Sequence, residues 1–167
     1  MAVPTPNAPG VTMYGLWNSI LNWMFPPTSN YVTRPQDMHR FFGGQKGFSD
    51  FHTSEIIPAS RRKFFLITQC KAVASESQEH EWQNASNQLR DYLSSVHGTR
   101  PTNQRSPVYG IAALGRRVRF FRYDDPNQNV VDWRPSKRNN PIKKKYYDIR
   151  AEAGDVQGAL NWILTHH

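Results

Sequence analysis

A run of apolar residues that leads into an amphipathic helix pattern constrains this fold more than any other stretch of the chain. Residues 64–67, Phe-Phe-Leu-Ile, form a continuous apolar run, as expected of a strand that is covered on both faces. Side chains alternate along a strand, so Gln69 and Lys71 leave this strand on the same face. Because a buried, unpaired ammonium group is costly, Lys71 at the end of a buried strand requires a partner.

The helix pattern that follows has apolar residues at three- and four-residue spacing. Its apolar face consists of Trp82, Ala85, Leu89, Tyr92, Leu93 and Val96. A buried strand that leads into a helix with one apolar face predicts a sheet with helices packed against it, which is the α/β class.

The rest of the chain supplies helices and strands that extend this sheet. Helices are predicted at 14–25, for a turn or two within 36–42, and from Asp155 onward; strands are predicted at 31–34, 48–57, 108–114, 117–123, 130–133 and 146–149. Residues 1–12, which contain three prolines, are expected to form a flexible tail. Residues 13–167 are then of a length that suits a single domain.

The chain is strongly basic. Its 167 residues include 21 Lys and Arg against 13 Asp and Glu, a formal net charge of +8. This balance favours nucleic acid or an anionic membrane surface as partner. The alternative is a basic protein that has no polyanionic partner. The apolar helix at 14–25 contains no Lys or Arg, which argues against an amphipathic membrane anchor. DNA or RNA is therefore the expected partner.

Several other classes of protein are disfavoured by composition. The single cysteine, Cys70, excludes an internal disulfide and a metal site built from several cysteines. No apolar run reaches the length of a transmembrane helix, and the first residues lack the basic and hydrophobic regions of a secretory signal. We therefore expect an intracellular protein, cytoplasmic or nuclear, with no membrane partner. Formation of homo-oligomers is left open.

Polar residues from two neighbouring strands are expected to meet at one edge of the sheet. Asp50 lies in the strand that precedes the central one, whose end carries Gln69 and Lys71. A carboxylate beside a lysine is the minimum for binding a divalent cation and orienting a water against a phosphodiester. The lysine can stabilise the developing charge or help to activate the water. Alternatively, Asp50 opens a turn and Lys71 reaches solvent from a strand end.

This arrangement resembles the PD-(D/E)XK nuclease superfamily, which has the restriction-endonuclease-like fold. The matching residues are Ser49-Asp50, then Gln69-Cys70-Lys71 at the end of an apolar strand, and then an amphipathic helix. In that helix, Gln88 and Tyr92 are similar to the Gln-x-x-x-Tyr motif of the exonuclease branch. The chain also resembles standalone members of this class found in fungal genomes. The resemblance covers about residues 14–123 and implies a mixed sheet flanked by helices, with a core order αβββαβ.

The resemblance also implies a cofactor, Mg²⁺ or Mn²⁺, and a role for each matching residue. Asp50 and Gln69 would bind the metal, and together with Lys71 they would form the catalytic set. Gln88 and Tyr92 would bind substrate. The family usually has Glu or Asp at the position of Gln69, and its first helix commonly contributes a Glu that residues 14–25 do not supply.

Basic residues on a predicted hairpin form a second candidate surface. Arg117 and Arg119 share a strand face with Phe121 and Tyr123. Basic groups beside aromatic rings suit contact with a nucleic-acid backbone and stacking of bases. A solvated sheet edge, where charges block the addition of a further strand, is an equally good interpretation.

Two functions follow from these patterns. One is Mg²⁺-dependent hydrolysis of phosphodiesters in nucleic acid. The other is a catalytically degenerate member of the same fold that serves as a nucleic-acid- or protein-binding module.

Overall fold

The computed structural model describes residues 11–40, 46–58, 62–97, 101, 105–134 and 145–167. Within them the helices are α1 (Val11–Met24), α2 (Glu79–Val96) and α3 (Ala153–His166). The strands are β1 (Tyr31–Arg40), β2 (Lys46–Glu55), β3 (Lys63–Lys71), β4 (Tyr109–Leu114), β5 (Arg117–Asp124), β6 (Asn129–Asp132) and β7 (Tyr147–Asp148).

The described strands form one seven-stranded mixed sheet. Strands β1 to β6 lie side by side in chain order, and β7 pairs with β5. Strands β3 and β4 are parallel, whereas the other pairs are antiparallel. A parallel pair needs a long crossover, and α2 provides it. The predicted α/β class, with helices flanking a mixed sheet and the order αβββαβ, is confirmed.

Helices cover both faces of the sheet. Helices α1 and α3 pack on one face, where Trp17, Leu21 and Phe65 are fully buried. Helix α2 packs on the other face, against a cluster that includes Phe64 and Ile67. Strand β3 is therefore buried on both sides, as its apolar run predicts.

Strand β1 differs from its prediction. The sequence predicts a turn or two of helix within residues 36–42, but residues 36–40 belong to β1, and residues 41 and 42 lie outside the described range. Strand β1 pairs with β2 from Tyr31↔Glu55 to Arg40↔Lys46. The helix prediction is wrong for residues 36–40 because pairing along a whole strand outweighs a weak local propensity.

The N-terminal end of the chain and its basic run are only partly described. Helix α1 begins at Val11, inside the predicted tail, and residues 1–10 lie outside the described ranges. Residues 135–144, which contain most of the basic run, also lie outside them. In the part of the chain that the structure describes, no helix is long and apolar enough to cross a membrane.

Candidate functional site where strands β2 and β3 separate

The sheet opens between β2 and β3 at the position of the predicted site. Their pairing ends at Phe51↔Thr68, whereas β2 stays paired with β1 as far as Lys46 and β3 stays paired with β4 as far as Lys71. Each strand therefore continues beside its outer neighbour while the two move apart. We call this opening, lined by Asp50, Gln69 and Lys71, the fork.

Asp50 bridges the two strands where their pairing stops. Continued pairing would place Ser49 opposite Cys70. Instead, the Cys70 backbone N–H donates to Asp50 Oδ2 at 2.6 Å. The carboxylate therefore provides the acceptor that the backbone of β2 no longer provides for this N–H of β3. Burial raises the pKa of the Asp50 carboxyl, while the Cys70 N–H and the nearby Lys71 ammonium act in the opposite direction.

Gln69 occupies the β3 position that would pair with Asp50 if the two strands stayed together, and only 3% of its surface is exposed. Ile67 lies in the cluster beneath α2, so alternation places Gln69 on that same face of β3. The residue opposite on β4 is Ala112, which has no hydrogen-bonding side chain. Within the described residues, Gln69 Nε2 has no hydrogen-bond partner. An amide nitrogen buried in this way is rare and requires an explanation.

Lys71 completes the fork at the end of β3. The residue is half-buried, and its charge acts on Asp50. Its carbonyl accepts the Gly115 N–H at 3.3 Å, which joins the end of β3 to the β4–β5 turn. Gly115 has a φ of 55°, and a Cβ there would lie 3.0 Å from Val73 Cα, so the turn requires glycine. The structure thus brings Asp50, Gln69 and Lys71 together.

The two residues predicted to bind substrate have different surroundings. Gln88 is exposed on α2, whereas Tyr92 is only 2% exposed and packs against Phe64. The Tyr92 hydroxyl shares a hydrogen bond of 3.1 Å with Nδ1 of His52. His52 lies two residues after Asp50 on the same face of β2. Tyr92 therefore connects α2 to the strand that carries Asp50. No sequence motif indicates that His52 is the partner of Tyr92.

Arg117 and Arg119 are engaged within the protein. Arg117 Nε lies 3.6 Å from Glu76 Oε1, and its guanidinium lies 4.4 Å from the centre of the Tyr146 ring. Arg119 Nη2 donates to Asp132 Oδ1 at 2.7 Å. Phe121 and Tyr123, expected to support base stacking beside these arginines, are buried beneath α2. Their rings are therefore covered by the protein itself.

The described residues offer few ligands for a divalent cation. They contain no group of three or more His, Cys, Asp or Glu that could hold a metal ion. At the fork, Asp50 is the carboxylate, and one of its oxygens already accepts the Cys70 N–H. Magnesium prefers six oxygen ligands at short distances. One carboxylate and one amide do not fit a cation held by the protein alone, and metal binding by Asp50 and Gln69 stays a prediction.

Comparisons with known proteins add little to this geometry. No family model and no curated protein matches the chain. Among solved structures, it is similar to a candidate nuclease belonging to DUF820 from Anabaena variabilis, at 12% identity and a TM-score of 0.43. The match covers 98% of this chain and 86% of that chain. A likeness this distant carries no statement about activity.

Proposed function

We propose that this protein binds nucleic acid through a backbone phosphate at the fork and that it does so without efficient turnover. The observation that carries the proposal is the separation of β2 from β3, which gathers Asp50, Gln69 and Lys71 at one opening. The lysine supplies a cation for phosphate, and the net charge of +8 favours the approach of a polyanion. The described residues contain no group of three or more His, Cys, Asp or Glu that could hold a metal ion, which argues against efficient cleavage.

Hydrolysis of phosphodiesters with Mg²⁺ or Mn²⁺ is the second candidate function. The observation that favours it is the Lys71 ammonium close enough to Asp50 to oppose the rise in the carboxyl pKa that burial causes. A carboxylate and a lysine are the groups that the PD-(D/E)XK resemblance assigns to catalysis. The missing acid at Gln69 weighs against this candidate.

Binding is tested with fluorescently labelled single- and double-stranded DNA and RNA, in EDTA and in Mg²⁺ or Mn²⁺, at about 50 mM salt. We expect the wild-type protein to bind and Lys71→Met to bind about tenfold more weakly, because a hydrogen bond to a charged group is lost. Arg62→Met is the matched control: Arg62 is exposed just before β3, at the end away from the fork. Absence of binding to all four probes would refute the proposal.

Cleavage is followed in the same mixtures on denaturing gels. Cleavage by the wild type that Lys71→Met abolishes would establish the second candidate in place of the first. Cleavage that persists in Lys71→Met would indicate a contaminating nuclease. Binding without cleavage is the result that we expect.

A further inference from the structure

The buried amide of Gln69 is the least explained group at the fork. Its Nε2 has no hydrogen-bond partner in the described part of the chain, although the residue is almost fully buried. Leaving a buried donor unpaired is unfavourable, so such a group is retained where a ligand or water supplies the acceptor. The donor therefore indicates a missing acceptor at this position.

The groups around Gln69 indicate what kind of acceptor fits. Lys71 lies two residues further along the same face of β3, and its ammonium group is also a donor. Across the fork, Asp50 has one oxygen committed to the Cys70 N–H at 2.6 Å. The fork therefore has an amide donor, buried beneath α2, and an ammonium donor on the same face of β3. A cation placed here would face N–H groups, whereas an oxyanion would receive hydrogen bonds from them.

We propose that Gln69 Nε2 and Lys71 Nζ bind a non-bridging oxygen of a phosphodiester directly, with no divalent cation between the protein and the phosphate. This inference rests on the proposed function and names the chemical group that the fork takes. It makes Gln69 a phosphate ligand in its own right and not a weakened replacement for a metal-binding acid.

Two substitutions of Gln69 test this contact in EDTA with a short labelled oligonucleotide. Gln69→Met removes the donor at nearly constant shape, and we expect affinity to fall about tenfold. Gln69→Glu introduces the acid that is usual in the PD-(D/E)XK superfamily, and it should weaken binding further because it places a negative charge against the phosphate. Gln157→Glu is the matched control, because Gln157 is exposed on α3, on the opposite side of the sheet from α2. Its affinity should equal that of the wild type.

Asp50→Asn separates direct phosphate binding from a metal site. With phosphate bound directly, removing this negative charge should strengthen binding in EDTA. A metal-mediated contact predicts the reverse, namely no binding in EDTA and weaker binding of Asp50→Asn in Mg²⁺.

The chemical shifts of the Gln69 side-chain NH₂ group, measured in a ¹⁵N-correlated NMR spectrum, test the contact directly. They should not change on addition of ligand if Gln69 has a purely structural role. They are assigned by their loss in Gln69→Met and should shift when the dinucleotide TpT is added in EDTA.

Wild-type binding that requires Mg²⁺ would overturn this inference and leave the proposed function intact. Failure to bind nucleic acid under any condition would overturn both. If Gln69→Glu does not fold, Gln69→Met carries the test, and wild-type affinity in that variant would overturn the inference.

Discussion

Gln69 is a residue where stability and binding are expected to oppose each other. Its buried Nε2 lacks a partner within the described structure, and Ala112 beside it cannot provide one. A side chain selected for stability alone would be apolar at this position. The unpaired donor is a local departure from good packing, and such departures concentrate at functional sites.

Gln69→Met should therefore stabilise the protein while it weakens phosphate binding. Replacing an unsatisfied buried donor with an apolar group of similar shape is expected to raise the free energy of unfolding by about 1 kcal/mol. The midpoint of thermal unfolding should rise by about 2–4 °C. Calorimetry and urea unfolding measure both quantities, with Gln157→Met as an exposed control. A loss of stability in Gln69→Met would mean that the amide is paired in the folded protein.

Asp50 should make stability depend on pH in a defined direction. Burial raises its carboxyl pKa above the ordinary value of 3.8, so the folded state holds the proton more tightly than the unfolded state does. For an acid with a raised pKa, the stabilisation is present at low pH and is lost as the pH rises through the folded-state pKa. Asn at this position keeps an oxygen for the Cys70 N–H and carries no charge.

We expect Asp50→Asn to be more stable than the wild type at neutral pH, with a difference that shrinks as the pH falls towards 4. Urea unfolding at a series of pH values measures this difference. Asp91→Asn, at an exposed site on α2, serves as the control and should show no such trend. A stability difference for Asp50→Asn that grows towards acid pH would contradict the raised pKa.

At the scale of elements, the contact between α2 and β2 holds the helix against the strand that carries Asp50. Tyr92 and His52 form this contact through the hydroxyl and Nδ1, with both side chains buried. Tyr92→Phe removes the hydroxyl at almost unchanged volume. We expect the free energy of unfolding to fall by about 1 kcal/mol in urea titrations.

Tyr14→Phe is the matched control for this substitution. The Tyr14 hydroxyl donates to the Asp50 carbonyl at 3.4 Å in a partly buried setting, so its removal should have a smaller effect. Equal losses in the two variants would contradict the importance of the bond between Tyr92 and His52.

The sequence was sufficient to place the central elements and their faces. The apolar run at 64–67 predicted a strand buried on both sides, and period-two alternation placed Gln69 and Lys71 on one face. Strand β1 was not predictable to its full length, because residues 37–40 are extended through their pairing with residues 46–49 of β2, and local propensity does not include this pairing. His52 was missed for a related reason, since its partner Tyr92 is brought to it only by the packing of α2.

At the scale of the whole molecule, the layers determine which predicted surfaces face solvent. Alternation correctly grouped Arg117 and Arg119 with Phe121 and Tyr123, but it could not show that α2 covers that face. The fork itself also depends on the whole sheet. It forms because β2 stays paired with β1, and β3 stays paired with β4, after the pairing between β2 and β3 ends.

The net charge of +8 predicts that binding to nucleic acid weakens with salt. Each phosphate contact on a single strand contributes about 0.7 to the slope of log affinity against log salt. Lys71→Met should therefore reduce this slope by about 0.7, whereas Arg62→Met should leave it unchanged. Fluorescence anisotropy with a single-stranded oligonucleotide at several salt concentrations measures the slope. Equal slopes in the wild type and Lys71→Met would show that Lys71 contacts no phosphate.

The most direct test of nucleic-acid binding at the fork is a map of backbone amide chemical shifts when a short oligonucleotide is added in EDTA. We predict that the largest changes fall at Asp50 and at residues 69–71, on the two sides of the opening. Changes confined to other parts of the chain, or no changes at all, would contradict the assignment of the fork as the phosphate site.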